Sequence, residues 1–191
     1  MSIFRKSGNN TLDYDDKKLL ELVKKDPKNF KLVFEKYFKE VYRYIYSFTL
    51  NKESAEDITA ETFKRAYLKI KDFTYRNIPL KYWLFKIAVN TLKTNYRKGK
   101  RFISIEANEL KLTENNDLKD KVYNDINSSR VLAFLYTLPE STQKIIRLKI
   151  WEDFTFDQIA DMLNMKLSAV KMRYYRGLEK IKELLKDTAK N

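Results

Sequence analysis

The chain has 191 residues and a formal net charge of +13, with no cysteine and no histidine. Those absences exclude disulfides, thiolate chemistry and a histidine general base, and they remove the commonest zinc ligand. The positive excess favours nucleic acid or another anionic partner, and a mean hydropathy of −0.59 with no long apolar run argues against direct membrane insertion.

Three glycines and three prolines are too few for a turn-rich β protein, so an all-α chain is expected. The opening MSIFRKSGNN lacks the apolar stretch of a secretory signal, and residues 1–13 read as a loose tail. A first domain is expected over 14–101. Asp13, Asp15 and Asp16 precede Leu19, Leu20 and Val23 in a short amphipathic helix, where acids at the start suit capping better than metal binding. Pro27 breaks the chain. A long helix is predicted from about Lys28 to Leu50, burying Phe30, Val33, Phe34, Tyr37, Val41, Tyr44, Ile45 and Phe48.

The next helix is acidic. Ser54 and Asp57 form a capping-box-like start. Glu53, Asp57 and Glu61 are spaced by four and share a face, while Phe63 falls off the core stripe of Ile58, Ala66 and Ile70. Acids in a first turn also suit the helix dipole and by themselves require no partner. The loop that follows places Phe73 and Tyr75 close to Arg76 and Asn77. In the helix after it, Trp83, Leu84, Ile87, Ala88, Thr91 and Leu92 recur at core spacing. Beside that stripe run Tyr82, Lys86, Asn90, Lys93 and Arg97. Cations hold phosphates, and rings and amides stack on or hydrogen-bond to unpaired bases.

Residues 102–128 read as a linker: over 103–129 the acids are Glu106, Glu109, Glu114, Asp117, Asp120 and Asp125, against Lys111, Lys119 and Lys121. A second domain is expected over 129–186, with 187–191 a short tail. Val131, Leu132, Phe134, Leu135 and Leu138 line its first helix, Pro139 suits the first turn of the next, and Ile145, Ile146, Leu148 and Trp151 continue the core. A helix-turn-helix pattern follows. Thr155 and Gln158 form a capping box, Phe156, Ile159, Ala160 and Leu163 recur at helical spacing, and Asn164 occupies a turn position that demands positive φ. From Leu167 onward, Val170, Tyr174, Leu178, Ile181 and Leu185 face inward. At about 100° per residue the outward face carries Ser168, Ala169, Met172, Tyr175 and Arg176, bordered by Lys171 and Arg173. Ser168, Met172 and Arg176 are assigned toward base edges, and Lys166, Lys171 and Arg173 toward phosphates.

Two sets of these residues resemble a known family. The run Ala55-Glu56-Asp57-Ile58-Thr59-Ala60-Glu61-Thr62-Phe63-Lys64-Arg65-Ala66-Tyr67, with Trp83-Leu84-Phe85-Lys86-Ile87-Ala88-Val89-Asn90, resembles the second region of bacterial sigma factors, nearest the small extracytoplasmic-function group. Leu138-Pro139-Glu140, the run Phe156–Asn164 and Ala169-Val170-Lys171-Met172-Arg173 resemble the fourth region. The resemblance implies a region-two bundle and a region-four helix-turn-helix domain that direct promoter recognition, promoter melting and initiation with core RNA polymerase. It implies that Glu53, Asp57, Glu61 and Arg65 dock on the polymerase β′ clamp, and that the region-four domain works near the β flap. It places Phe73, Tyr75, Arg76, Asn77, Tyr82, Trp83, Lys86, Asn90 and Arg97 at the −10 element, where a base is flipped out. It places Lys166, Ser168, Ala169, Lys171, Met172, Arg173, Tyr175 and Arg176 at the −35 element. The linker would thread the polymerase cleft. No cofactor, metal, catalytic residue or small-molecule substrate is implied. An anti-sigma antagonist is expected, with a cytoplasmic location or retention at the inner membrane face. Ala60, Tyr67, Pro79, Thr94 and Lys166 depart from the family's usual residues. The competing readings are a stand-alone helix-turn-helix regulator, which has no use for the stretch Asn51–Arg101, and an enzyme on nucleic acid, which lacks a Gly-rich phosphate loop.

Overall fold

Apolar residues at helical spacing produce helices throughout the computed structural model, which describes residues 15–74, 78–97 and 126–188. No strand occurs among the described residues, and the fold is all-α. The chain divides into two compact units, Met1–Phe102 and Ile103–Asn191.

In the first unit, α1 spans Asp16–Lys25, followed by a 3-10 turn, Pro27–Asn29, and α2, Phe30–Thr49. The long helix thus begins two residues later than its periodicity suggests, because Pro27 at the turn's start is capped by Asp26, whose carboxylate accepts from the Lys28 N–H. Leu50 ends α2 in the left-handed region at φ 48°. Helix α3, Lys52–Lys69, starts under Asn51, whose side chain accepts from the Ser54 N–H. The expected cap at Ser54 with Asp57 is corrected: the helix begins earlier, and a cap at Asn51 satisfies a donor that would otherwise be orphaned. Helix α4 spans Leu80–Arg97.

Helices α2, α3 and α4 pack on one another, with α1 against α2 and α4. Their shared core is aromatic. Tyr44 meets Phe48 and Phe85 edge-on, at centroid distances of 5.2 and 5.5 Å. Phe63, read from sequence as lying off the stripe, is buried: its ring packs against Phe30, Phe34 and Phe38 of α2. A bundle covers a wider arc of each helix than a narrow stripe does, and Phe63 lies within it. Phe34 itself is 39% exposed, at the edge of this cluster rather than inside it.

In the second unit, α5 spans Ile126–Thr137, starting within the stretch read as linker, and α6 spans Glu140–Ile150. Pro139 takes the N-cap position of α6, one residue before the first turn. Helix α7, Phe156–Leu163, and α8, Leu167–Thr188, complete the helix-turn-helix. Helix α8 packs on α5, α6 and α7 alike. Gly177 allows its approach to α6, since a Cβ there would stand 2.6 Å from Thr142 Cγ2. Val131 and Trp151, expected in the core, are exposed at 37% and 38%. Trp151 lies at the end of α6, where its ring covers the buried Arg147 guanidinium at 5.4 Å. Arg147 also lies 5.0 Å from the Tyr136 ring and donates to Gln143 Oε1 at 2.9 Å, so a buried cation is held between rings and an amide.

The turn between α6 and α7 places Asp153 at φ 58°. A side chain there is strained relative to glycine, although Asp tolerates the conformation better than most residues. Asp153→Gly is expected to stabilise the second unit by about 0.5–1 kcal/mol. Chemical denaturation followed by Trp151 fluorescence, in a Trp83→Phe background, measures it; a lower midpoint would show that the carboxylate stabilises more than the backbone strain costs.

Candidate protein and nucleic-acid interfaces

The acidic face of α3 is built by its length and cap. With Asn51 as cap, Glu53 falls in the first turn and is exposed, as are Glu56 and Asp57. Glu61 does not present a free carboxylate: Arg65 Nε donates to its Oε1 at 2.7 Å. Glu61 and Arg65, both expected to face a partner, are therefore engaged with each other along the helix, half-buried. Glu56, which the spacing-by-four argument missed, lies on the α2 side. Burial raises the Tyr42 hydroxyl pKa above the ordinary phenol value, and the nearby Glu56 carboxylate and Tyr46 raise it further. The exposed acids of α3 are Glu53, Glu56 and Asp57, with Glu56 Oε1 3.9 Å from Lys52 Nζ one turn back.

Helix α4 is fixed from both sides. Leu80, Leu84, Phe85, Ala88, Val89, Thr91 and Leu92 are buried. Tyr82 and Lys86 are half-buried, Asn90 and Lys93 are exposed, and these positions follow one another along the helix at intervals of three and four. Trp83 is half-buried, its ring 4.9 Å from Phe73. Phe73, proposed from sequence as a stacking ring, is 8% exposed and supports Trp83 instead. A phenylalanine has no polar tip to hold at the surface, so the hydrophobic effect draws it under the neighbouring indole. Tyr75, Arg76, Asn77 and the Arg97 side chain lie outside the described residues, as does the linker before Ile126.

The α7–α8 turn follows the expected chemistry. Thr155 Oγ1 accepts from the Gln158 N–H at 3.2 Å, and Gln158 Oε1 accepts from the Thr155 N–H at 2.9 Å. Asn164 adopts φ 51° and ψ 53°, and the Met165 N–H returns to the Ala160 carbonyl at 2.9 Å. Helix α8 starts at Leu167, and the carbonyl of the preceding Lys166 accepts from the Val170 N–H. Lys166, Ser168, Lys171, Met172, Arg173, Tyr175 and Arg176 are exposed, and Ala169 is half-buried. Arg173 leans back over the turn, its Nη1 3.7 Å from Met165 Sδ. Tyr175, 60% exposed, has its ring 6.1 Å from Phe156 and 5.3 Å from Tyr174, so part of it is anchored to α7. The exposed face therefore combines cations with the hydroxyls of Ser168 and Tyr175 and the apolar side chain of Met172.

No group of three or more acids, histidines or cysteines among the described residues is placed to hold a metal. No described helix is long and apolar enough to cross a membrane.

Comparison with known proteins agrees with this division. Residues 33–102 match the family described as Sigma-70 region 2, and residues 128–181 match Sigma-70, region 4. The chain is 30% identical over 183 residues to the ECF RNA polymerase sigma factor SigW of Bacillus subtilis, covering 90% of this chain and 97% of that protein. It is 26% identical over 186 residues to the ECF RNA polymerase sigma factor BldN of Streptomyces coelicolor, covering 93% and 70%. In fold it is similar to the sigma factor RpoE of Bartonella quintana, solved in complex with the anti-sigma factor NepR, at a TM-score of 0.66 and 23% identity over 83% of this chain and 98% of that one. The chain belongs to the extracytoplasmic-function sigma factors. It is a sigma factor, acting with core RNA polymerase and promoter DNA in transcription initiation. The reading as a stand-alone regulator is set aside, because a full region-two match accompanies the helix-turn-helix.

The buried ring of Phe73 has a testable consequence. Phe73→Leu keeps an apolar side chain under Trp83 and is expected to cost about 1 kcal/mol of stability while leaving promoter opening intact where the protein is folded. Loss of opening with the fold preserved, by circular dichroism, would restore a stacking role to the ring.

Proposed function

We propose a division of surfaces for this sigma factor. The α3 acids Glu53, Glu56 and Asp57 dock on the polymerase β′ clamp, with the Glu61–Arg65 pair stiffening the helix beneath them. The α4 row of Tyr82, Lys86 and Asn90, with the loop residues Tyr75, Arg76 and Asn77 and the basic Arg97, takes the opened −10 strand. The exposed α8 face from Lys166 to Arg176 enters the −35 major groove, near the β flap. Residues 14–101 and the stretch from Ile126 to 186 act as the working domains, and 102–125 link them. The observation that carries this reading is the sorting of charge: exposed acids on α3, and exposed cations along the face of α8.

The chain contributes binding energy rather than bond chemistry, and its role requires no cofactor. Opening DNA needs only that the unstacked base be held better than it is held in the duplex, at a few kcal/mol per step. It works in the cytoplasm. An anti-sigma protein, of the kind seen with the fold neighbour from Bartonella quintana, would silence it by covering the same surfaces.

Glu53→Lys combined with Asp57→Lys tests the docking face. Exposed charges contribute about 0–1 kcal/mol to stability, so the thermal midpoint should hardly move while affinity for core polymerase falls. Unchanged affinity, measured by fluorescence anisotropy of labelled protein, would remove α3 from the interface.

A further inference from the structure

The first turn of α4 is held by a residue from far outside it. Leu80 is the first residue of α4, so its N–H is one of those that no helical carbonyl can satisfy. Asp16, in the first turn of α1, supplies the acceptor: the Leu80 N–H donates to Asp16 Oδ2 at 2.9 Å, across 64 residues of chain. The other carboxylate oxygen is held by α2. Lys36 Nζ donates to Asp16 Oδ1 at 3.0 Å, and the Tyr37 hydroxyl donates to the same oxygen. Lys36 and Tyr37 therefore fix the orientation of the carboxylate, and the carboxylate fixes the start of α4. Residue 81 adds a second tether, with Lys81 Nζ 2.9 Å from Glu40 Oε2. Asp16 lies ahead of the residues matched by the region-two family, 33–102.

We propose that Asp16 is a positioning residue for promoter opening, a side chain that touches no DNA but sets where α4 begins. A negative charge at a helix N-terminus is doubly favourable there, since it satisfies an orphan donor and faces the positive end of the dipole. Without it the first turn of α4 frays, and fraying there displaces Tyr82 and Lys86, which stand in the first and second turns of the helix. It also loosens the exit of the loop that ends at Pro79. The acidic face of α3 does not depend on this contact. The inference rests on the reading of α4 as the −10 surface.

The test uses the full chain assembled with core polymerase, at a temperature where every variant is folded by circular dichroism. Asp16→Ala is expected to slow promoter opening about fivefold, the equivalent of one lost cap, while core affinity stays at the wild-type value. Asp16→Asn in a Lys36→Met background keeps an oxygen that can accept from the Leu80 N–H and turns its NH2 toward the Tyr37 oxygen, which can accept, and is expected to restore most of the opening rate. Lys36→Met removes the ion pair but leaves the Tyr37 hydroxyl on the same carboxylate oxygen, and so the cap, in place; it is expected to open promoters nearly as well as wild type. Wild-type opening by Asp16→Ala overturns the proposal. So does a parallel loss of opening and core affinity, or a Lys36→Met variant as slow as Asp16→Ala, either of which marks a generally structural residue. If Asp16→Ala does not fold, the Asn and Met variants decide, because slow opening by either contradicts the capping role. Lys86→Ala with Asn90→Ala is the separate control. Unaffected opening by that pair would overturn the −10 reading of α4 itself, whatever Asp16 does.

Discussion

Burial of the inner stripe of α4 is the constraint on which the first unit depends. Leu80, Leu84, Phe85, Ala88 and Leu92 are fully buried where α4 packs on α1, α2 and α3, and each of the leucines and the phenylalanine contributes about 1.5–3 kcal/mol when buried. A helix that must turn those residues inward has no freedom to hide Asn90 or Lys93. The polar row is therefore presented to solvent by the same packing that holds the unit together. The Phe30–Phe34–Phe38–Phe63 cluster does the corresponding work between α2 and α3, and in doing so turns Glu53 and Asp57 outward.

The second unit applies the same logic with α8 as the shared partner. Val170 and Ile181 are buried beneath α5, α6 and α7, and Gly177 permits the close approach to α6. The left-handed Asn164 then sets the angle at which α8 leaves α7. Once that turn and that stripe are fixed, Ser168, Met172 and Arg176 lie on the open side. Exposed and buried side chains divide one helix between two faces, and neither face can be altered without moving the other. The buried Arg147, held by Gln143 and sandwiched near Tyr136 and Trp151, ties the end of α6 to the same assembly.

Local chemistry was readable in the sequence, and chemistry across long chain distances was not. The Thr155–Gln158 capping box and the positive φ of Asn164 follow from residue type over a few positions, and both occur in the structure. The inward stripe of α2 was likewise legible except at its edge, where Phe34 emerges because the cluster around Phe63 ends there. Phe73 and Trp151 depart from the sequence reading in opposite senses, the first buried where an exposed ring was expected and the second exposed where a core ring was expected, because residue type alone does not say which neighbour a large ring covers. Asn51 was missed because Ser54 offers an equally plausible cap, and only the backbone decides between them. The contact of Asp16 with Leu80 has no sequence signature, since an aspartate at a helix start is first explained by its own helix. Glu61 and Arg65 show the limit of spacing arguments: the interval of four that lines up acids also pairs an acid with a cation.

The central claim is that one chain grips two separated promoter segments, and does so only when mounted on the polymerase. Hydroxyl-radical footprinting on a promoter fragment tests it most directly, comparing the purified protein, core polymerase and the two together. Protection of an upstream segment by the α8 unit and of a downstream, opened segment by the α4 unit is expected in the combined complex alone. Equal protection of intact duplex by the protein without polymerase would contradict the account.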